Sequence, residues 1–166
     1  MPINLKFSNK LKIRIAVSTD IHSIHEILSE AFKPYRKYYT KKAYKATVIS
    51  PEEIEKRIEN SETIVLVADY ANVVIGTASI NLGDKTNLYI QSMAVKPTYQ
   101  GKGIGLCILT IIERIGKEKN CKIMSLESYE PLKKAVLLYE KFGFKRTGKE
   151  RDYQGITVFE MIKELD

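Results

Sequence analysis

The chain has little of what chemistry at metals, disulfides or membranes requires. Only two cysteines, Cys107 and Cys121, and two histidines, His22 and His25, occur in 166 residues. The cysteines show no C-x-x-C spacing and have no histidine pair near them, so two buried, reduced thiols are expected rather than a zinc site or a disulfide scaffold. His22 and His25 stand at i, i+3 without a third ligand and read as surface or capping residues. No apolar run approaches the ~20 residues of a membrane span. Met1 to Lys12 is too polar for the apolar part of a secretory signal, which leaves the cytoplasm as the expected address. A long linker, a low-complexity tract and an internal repeat are all missing, so one domain is expected over 1–166, with its core at about 12–163.

What is present is positive charge. Lys and Arg total 27 against 20 Asp and Glu, a formal +7, alongside 44% apolar residues, enough for a core that needs no staples. Such a balance suits an anionic ligand, whether a phosphate-rich cofactor, an acidic peptide, nucleic acid or a lipid surface. Charge alone does not choose among them.

Hydrophobic periodicity alternates between strand and helix. Lys12 to Val17 reads as a half-buried strand, with Thr19 or Asp20 capping a helix that carries Ile21, Ile24, Ile27 and Leu28 on one face. Ser50-Pro51-Glu52-Glu53 supplies an N-cap, a first-turn proline and a capping-box glutamate for a helix to about Asn60, whose acid-rich face over Glu52 to Glu59 reads as solvated. Thr63 to Ala68 and Val73 to Ile80 predict an antiparallel hairpin, followed by a strand over Leu88 to Val95 that Pro97 halts. A helical stripe over Ile104 to Lys117, a strand at Lys122 to Glu127, a helix over Leu132 to Lys141 stopped by Gly143, and short strands at Phe144 to Arg146 and Ile156 to Ile162 complete the chain. An antiparallel meander followed by a strand-helix-strand crossover makes the class α+β with a mixed sheet.

The chemistry concentrates between Val95 and Gly105. Three glycines, at 101, 103 and 105, permit positive φ and close approach of backbone where a strand turns into a helix. Consecutive N–H groups and the positive helix end then face one spot, an anion cradle suited to pyrophosphate, with Lys102 at its rim. A Walker loop is excluded because G-x-x-x-x-G-K-[ST] occurs nowhere, and Leu106 breaks the G-x-G-x-x-G of a dinucleotide site. A structural glycine turn without a ligand is the remaining alternative.

The stretch Met93-Ala94-Val95-x-Pro97-x-x-Gln100-Gly101-x-Gly103-x-Gly105 resembles the acetyl-CoA motif of the GNAT family of N-acetyltransferases. A second match follows at the family's spacing, in Leu126-Glu127, Ala135, Leu138-Tyr139-Glu140-Lys141 and Gly143-Phe144. The resemblance extends over nearly the whole chain and is closest in motif to the ribosomal-protein and N-terminal type. It implies a mixed, mostly antiparallel central sheet flanked by helices, in which a splayed parallel strand pair binds acetyl-CoA. Met93, Ala94 and Val95 would pair with the pantetheine arm through their backbone. Gln100, Gly101, Lys102, Gly103, Ile104 and Gly105 would hold the pyrophosphate through main-chain N–H groups, while the side chains of Ile104 and Leu106 pack the helix. No metal is implied.

Acetyl transfer from a thioester needs a neutral amine, yet an alkyl ammonium loses its proton only near ~10.4, so a base must act directly or through water. The resemblance assigns that role to Glu127 and the general acid for the departing thiolate to Tyr139. Two positions depart from the family's pattern. Gln91 replaces a carboxylate found in many relatives, which shifts weight to Glu127 or a water wire, and Leu132 replaces an asparagine that contacts the cofactor.

The acceptor is less legible. Lys33 to Lys45 interleaves Lys33, Arg36, Lys37, Lys41, Lys42 and Lys45 with Tyr35, Tyr38, Tyr39 and Tyr44, and no acid occurs from Ala31 to Ser50. Such a segment would repel a polyamine and favour a peptide or protein N-terminus with acidic or neutral neighbours, or an anionic small-molecule amine. A solvated loop whose tyrosines cover the core is the plainer reading. Tyr38 and Tyr39 are candidate acceptor contacts, as is Tyr153, which resembles the hairpin tyrosine of N-terminal acetyltransferases. No membrane partner is expected, nucleic acid is disfavoured, and a homodimer is left open. The alternative is a noncatalytic acetyl-CoA-sensing or nucleic-acid-binding module on the same fold.

Overall fold

The structure, a computed structural model, describes residues 9–166. The expectation about a signal segment in Met1 to Lys12 falls largely outside the described residues. Seven strands form one sheet in the order β1-β2-β3-β4-β5-β7-β6. They are β1 (Leu11–Ile15), β2 (Thr63–Tyr70), β3 (Val73–Asn81), β4 (Asn87–Val95), β5 (Ile123–Ser128), β6 (Lys145–Tyr153) and β7 (Ile156–Glu164). Every pairing is antiparallel except β4 with β5. The helices are α1 (Ile21–Phe32), α2 (Lys41–Thr47), α3 (Pro51–Glu59), α4 (Ile104–Glu118) and α5 (Lys133–Phe142). The α+β class and the mixed, mostly antiparallel sheet are as expected from the sequence.

Helices cover both faces, and the pattern of β2 shows why. Leu66 and Ala68 join the core beneath α4 and α5, whereas Val65 and Val67 point the other way onto Ile24, Ile27 and Leu28 of α1 and Ile54 of α3. A strand buried on both faces reads as a continuous apolar run, which is how Thr63 to Ala68 appears in the sequence. A third, smaller cluster of Ala43, Ile156 and Val158 gathers Tyr39, Tyr129 and Tyr153 around it.

The local expectations for the third helix, the first hairpin and the two thiols are met. Ser50 Oγ accepts from the Glu53 amide at 3.2 Å, and Pro51 opens α3. The β2–β3 hairpin turns on Ala71 and Asn72, both at positive φ, with Asp69 Oδ1 accepting from the Asn72 amide. Cys107 and Cys121 are free and buried, and burial pushes both thiols up from their ordinary pKa. Among the described residues no cluster of three or more His, Cys, Asp or Glu could hold a metal, and no helix is long and apolar enough to cross a membrane.

Three expectations are corrected. Asp20 does not cap α1 with its side chain. Its carboxylate instead accepts from the Val17 amide at 2.8 Å and from two nitrogens of Arg14 at 2.8 and 3.0 Å, because a charge-assisted fork outcompetes a neutral amide. The strand expected at Phe144 to Arg146 runs instead from Lys145 to Tyr153. Nearly every residue of this edge strand is exposed, so it has no apolar alternation to read, and Gly148 at φ +87 sits where its register with β7 shifts. The Lys33 to Lys45 segment is a 3-10 turn over Lys33–Tyr38 followed by α2, whose first amides are capped by Thr40 Oγ1 accepting from Ala43.

Candidate active site

The parallel pair is the feature that opens the sheet. β4 and β5 pair only from Asn87↔Ile123 to Ile90↔Leu126, although β4 continues to Val95 and β5 to Ser128. Ser125 Oγ bonds Asn87 Oδ1 at 2.7 Å at the closed end. At the open end β4 carries an extra residue opposite β3, since Thr77 pairs with Ala94 but Ser79 with Gln91, and Ser92 takes φ +51 there. This bulge bends β4 away from β5. The resulting gap is a cavity of about 680 Å³ that runs through the sheet between the two strands.

One end of the cavity is the glycine loop. Gly101 and Gly103 have φ of +74 and +87, with open space where a side chain would stand. Gly105 serves a different need: a Cβ there would lie 2.8 Å from Leu138 Cδ2, so its absence lets α4 approach α5. A helix leaves its first amides outside its own hydrogen-bond ladder, and Ile104, Gly105 and Leu106 at the start of α4 line this end. Gln100 uses its side chain structurally, donating from Nε2 to the Val95 carbonyl at 2.9 Å. Lys102 is exposed, with its ammonium 5.3 Å from the Tyr99 ring centre, and does not line the cavity. The Ile104 side chain is fully buried in the core. Met93, Ala94 and Val95 line the wall along the unpaired stretch of β4.

Tyr139 lies on the α5 wall, 9% exposed, with its ring edge-on to Phe144. Burial pushes its phenol up to about 12, so it stays protonated and can only donate or share its proton. Glu127 lies at the end of β5. Its oxygens accept from Arg151 Nε at 2.6 Å and Nη2 at 2.7 Å, and Oε1 also accepts from Tyr89 O–H at 3.1 Å. Burial and the neighbouring carboxylate raise the Tyr89 phenol well above the ordinary tyrosine range.

Beyond Glu127 the wall is aromatic. Tyr39 packs edge-on against Tyr129 at 5.2 Å and against Phe32 at 6.5 Å, and Tyr153 donates to the Ala46 carbonyl. Thr40 Oγ1 donates to the Gln154 carbonyl at 2.6 Å, which ties the start of α2 to the β6–β7 turn over this end of the cavity. Tyr38 is not brought to the cavity. It is 46% exposed with the Lys37 ammonium over its ring, and its backbone carbonyl accepts from Tyr129 O–H. The six cations of the Lys33 to Lys45 segment are all exposed, and none lines the cavity.

Among the lining residues that no local pattern singles out are Tyr89, Arg57, Ser128 and Arg151. Arg57 belongs to the helix read as having a solvated acidic face; Glu52, Glu55 and Glu59 are indeed exposed, but Arg57 turns inward, 16% exposed, and donates to Ser92 Oγ at 2.8 Å. Ser128 Oγ is buried with no hydrogen-bond partner on the cavity wall shared with Leu132 and Tyr139. A buried orphan hydroxyl of this kind marks a place for a ligand or water.

The family profile described as Acetyltransferase (GNAT) domain matches residues 29–165, and the chain belongs to this family. A spermine/spermidine N(1)-acetyltransferase of Bacillus subtilis is 34% identical over 79 residues, covering 47% of this chain and 50% of the relative. The chain thus matches about half the length of that curated relative. Among solved structures, a PaiA N-acetyltransferase from Thermoplasma acidophilum in complex with coenzyme A superposes with a TM-score of 0.80 at 23% identity, covering 93% of this chain and 98% of the other. The ribosomal-protein-S18-alanine N-acetyltransferase of Escherichia coli gives 0.75 at 16% identity, covering 94% of each chain. At such identities the likeness concerns the fold.

Proposed function

We propose that residues 1–166 act as one acetyl-CoA-dependent N-acetyltransferase that moves acetyl to a primary amine, on a peptide or protein N-terminus or on a small molecule. The observation that carries this reading is the parting of β4 from β5 after Ile90↔Leu126, directly above the Gly101–Gly103 loop. The parting leaves backbone groups of Gln91 to Val95 for the amides of a pantetheine arm, while the loop amides and the start of α4 take the pyrophosphate. Leu132 offers no hydrogen bond on the α5 side, and the orphan Ser128 hydroxyl supplies a polar group on the same wall.

In the reaction the amine nitrogen attacks the acetyl carbonyl carbon, the C–S bond breaks, and the proton lost by the amine is balanced by the one gained by sulfur. Backbone N–H groups near Val95 face the developing oxyanion. Tyr139, protonated at any physiological pH, donates to the leaving thiolate. Glu127 receives the amine's proton, directly or through water, and the Arg151 fork fixes the direction of the one lone pair left free, on Oε2. Gln91 lines the cavity but, as an amide, takes no proton.

The test is release of CoA from acetyl-CoA with a panel of peptide N-termini, lysine peptides, polyamines and small amines, with product mass locating the acetyl group. Tight acetyl-CoA binding without acetylation of any amine would replace the enzyme with the noncatalytic reading. Steep salt-dependent binding of single-stranded nucleic acid, again without transfer, would favour the module that reads Lys33 to Lys45.

A further inference from the structure

Arg57 is a cation held in the cavity wall without an adequate counter-charge. Its side chain is 16% exposed, and both hydroxyls it reaches, Ser92 at 2.8 Å and Ser79 at 3.5 Å, are neutral and use Nη1. That leaves Nη2 for another acceptor. Its nearest carboxylate is Glu53 at 3.6 Å from Nε, itself 46% exposed and absent from the cavity lining. Burial lowers the guanidinium's pKa by more than Glu53 raises it. Burying a cation whose one ion pair is long and half in solvent opposes folding, so its place here calls for a second anion that arrives from outside.

The surroundings place that anion at the acceptor end. Arg57 acts electrostatically on the phenols of Tyr89 and Tyr153, the same two groups that feel Arg151 and Glu127. Among the described residues Glu127 is the single acid in the lining, and both its oxygens already accept from Arg151. No unneutralised acid therefore remains among the lining residues to receive a second ammonium group. The bulge at Ser92 presents the hydroxyl that steadies Arg57 next to the unpaired stretch of β4 where the acetyl group would lie.

We infer that the acceptor is an amine carrying a carboxylate on the same small molecule or on a neighbouring peptide residue, that Arg57 binds this carboxylate, and that polyamines are poor substrates. This rests on the cavity being the acetyl-transfer site. The wall around Arg57 is aromatic and half-buried, so the bound pair is less screened than a surface ion pair and contributes more to specificity.

The experiment compares kcat/KM for three matched acceptors: amino acids and dipeptides with free carboxylates, their amides, and spermidine. The free acids should exceed their amides at least tenfold and spermidine by more. Arg57→Gln should raise KM for the acids at least tenfold, leave the amides and the KM for acetyl-CoA within about twofold, and Arg57→Lys should recover part of the loss. Equal use of acids and amides, or preferred acetylation of spermidine, overturns the inference. Should Arg57→Gln fail to fold, the wild-type ratio of acid to amide decides alone. Should no amine be acetylated, the transfer reading fails separately, and calorimetry with N-acetyl amino acids decides for Arg57: binding weakened tenfold in Arg57→Gln supports it, and no binding to the wild type, or equal binding by both, overturns it.

Discussion

Arg151 reaches Glu127 across an intervening strand. β7 lies between β6 and β5, yet Nε and Nη2 stand 2.6 and 2.7 Å from the two carboxylate oxygens. The last hairpin therefore fixes a group on the cavity wall, which neither strand's own pattern announces. If Glu127 takes the amine's proton, Glu127→Gln should lower kcat on the order of 10². KM for acetyl-CoA should stay put. Arg151→Gln should cost less, since it removes the fork that orients the carboxylate and leaves the carboxylate itself in place. Unchanged turnover in Glu127→Gln would remove the residue from the mechanism.

Tyr139→Phe deletes one oxygen from a buried wall and leaves the ring contact with Phe144 in place. Turnover should fall on the order of 10² while acetyl-CoA affinity remains nearly intact. The phenol is pushed up to about 12, so any basic limb seen at lower pH belongs to another group and should persist in the variant. Steady-state kinetics across pH, read beside isothermal titration with acetyl-CoA, separates the two effects.

The glycines of the loop should fail for different reasons. Gly105→Ala drives a methyl to 2.8 Å from Leu138 Cδ2 and should cost about 1–3 kcal/mol in denaturant melts unless Leu138 yields. Pairing it with Leu138→Ala should recover part of that loss. Gly103→Ala meets nothing within 4 Å but must hold φ +87, so its cost of about 1–2 kcal/mol is backbone strain that no neighbouring truncation relieves.

Asp20 gives a pH signature at the other end of the sheet. The hydrogen bond from Arg14, with the Val17 amide, holds its pKa below the ordinary 3.8 despite burial. A group depressed in the folded state stabilises fully above its ordinary value and stops doing so as pH falls through the folded one. Asp20→Asn should therefore be less stable than the wild type by about 1–3 kcal/mol at neutral pH. The gap should close only below pH 3.8, as thermal melts at stepped pH would show.

What could be read in advance follows from how each contact is made. The β4 end and the Gln100 to Gly105 loop present backbone, and backbone needs glycines and a proline at fixed spacing, so those positions are visible in a single sequence. Ser50 and Pro51 were visible for the same reason, as local chemistry. Arg57, Tyr89 and Arg151 reach the cavity through long side chains from three separate elements, and no spacing along the chain encodes their meeting. Asp20 looked like a helix cap because nothing local reveals that Arg14 points at it. The exposed β6 carries no alternation because it pairs through its backbone on one side only.

The cations between Lys33 and Lys45 form a field rather than a set of contacts. They stand in solvent outside the cavity, where charges separated by more than ~10 Å are screened at 0.1 M salt. Arg57, enclosed by the wall, is shielded from that screening. Added salt should then slow the arrival of an acceptor with net negative charge, such as an acidic dipeptide, while leaving the discrimination between acid and amide nearly unchanged, so ionic strength acts on encounter and not on choice.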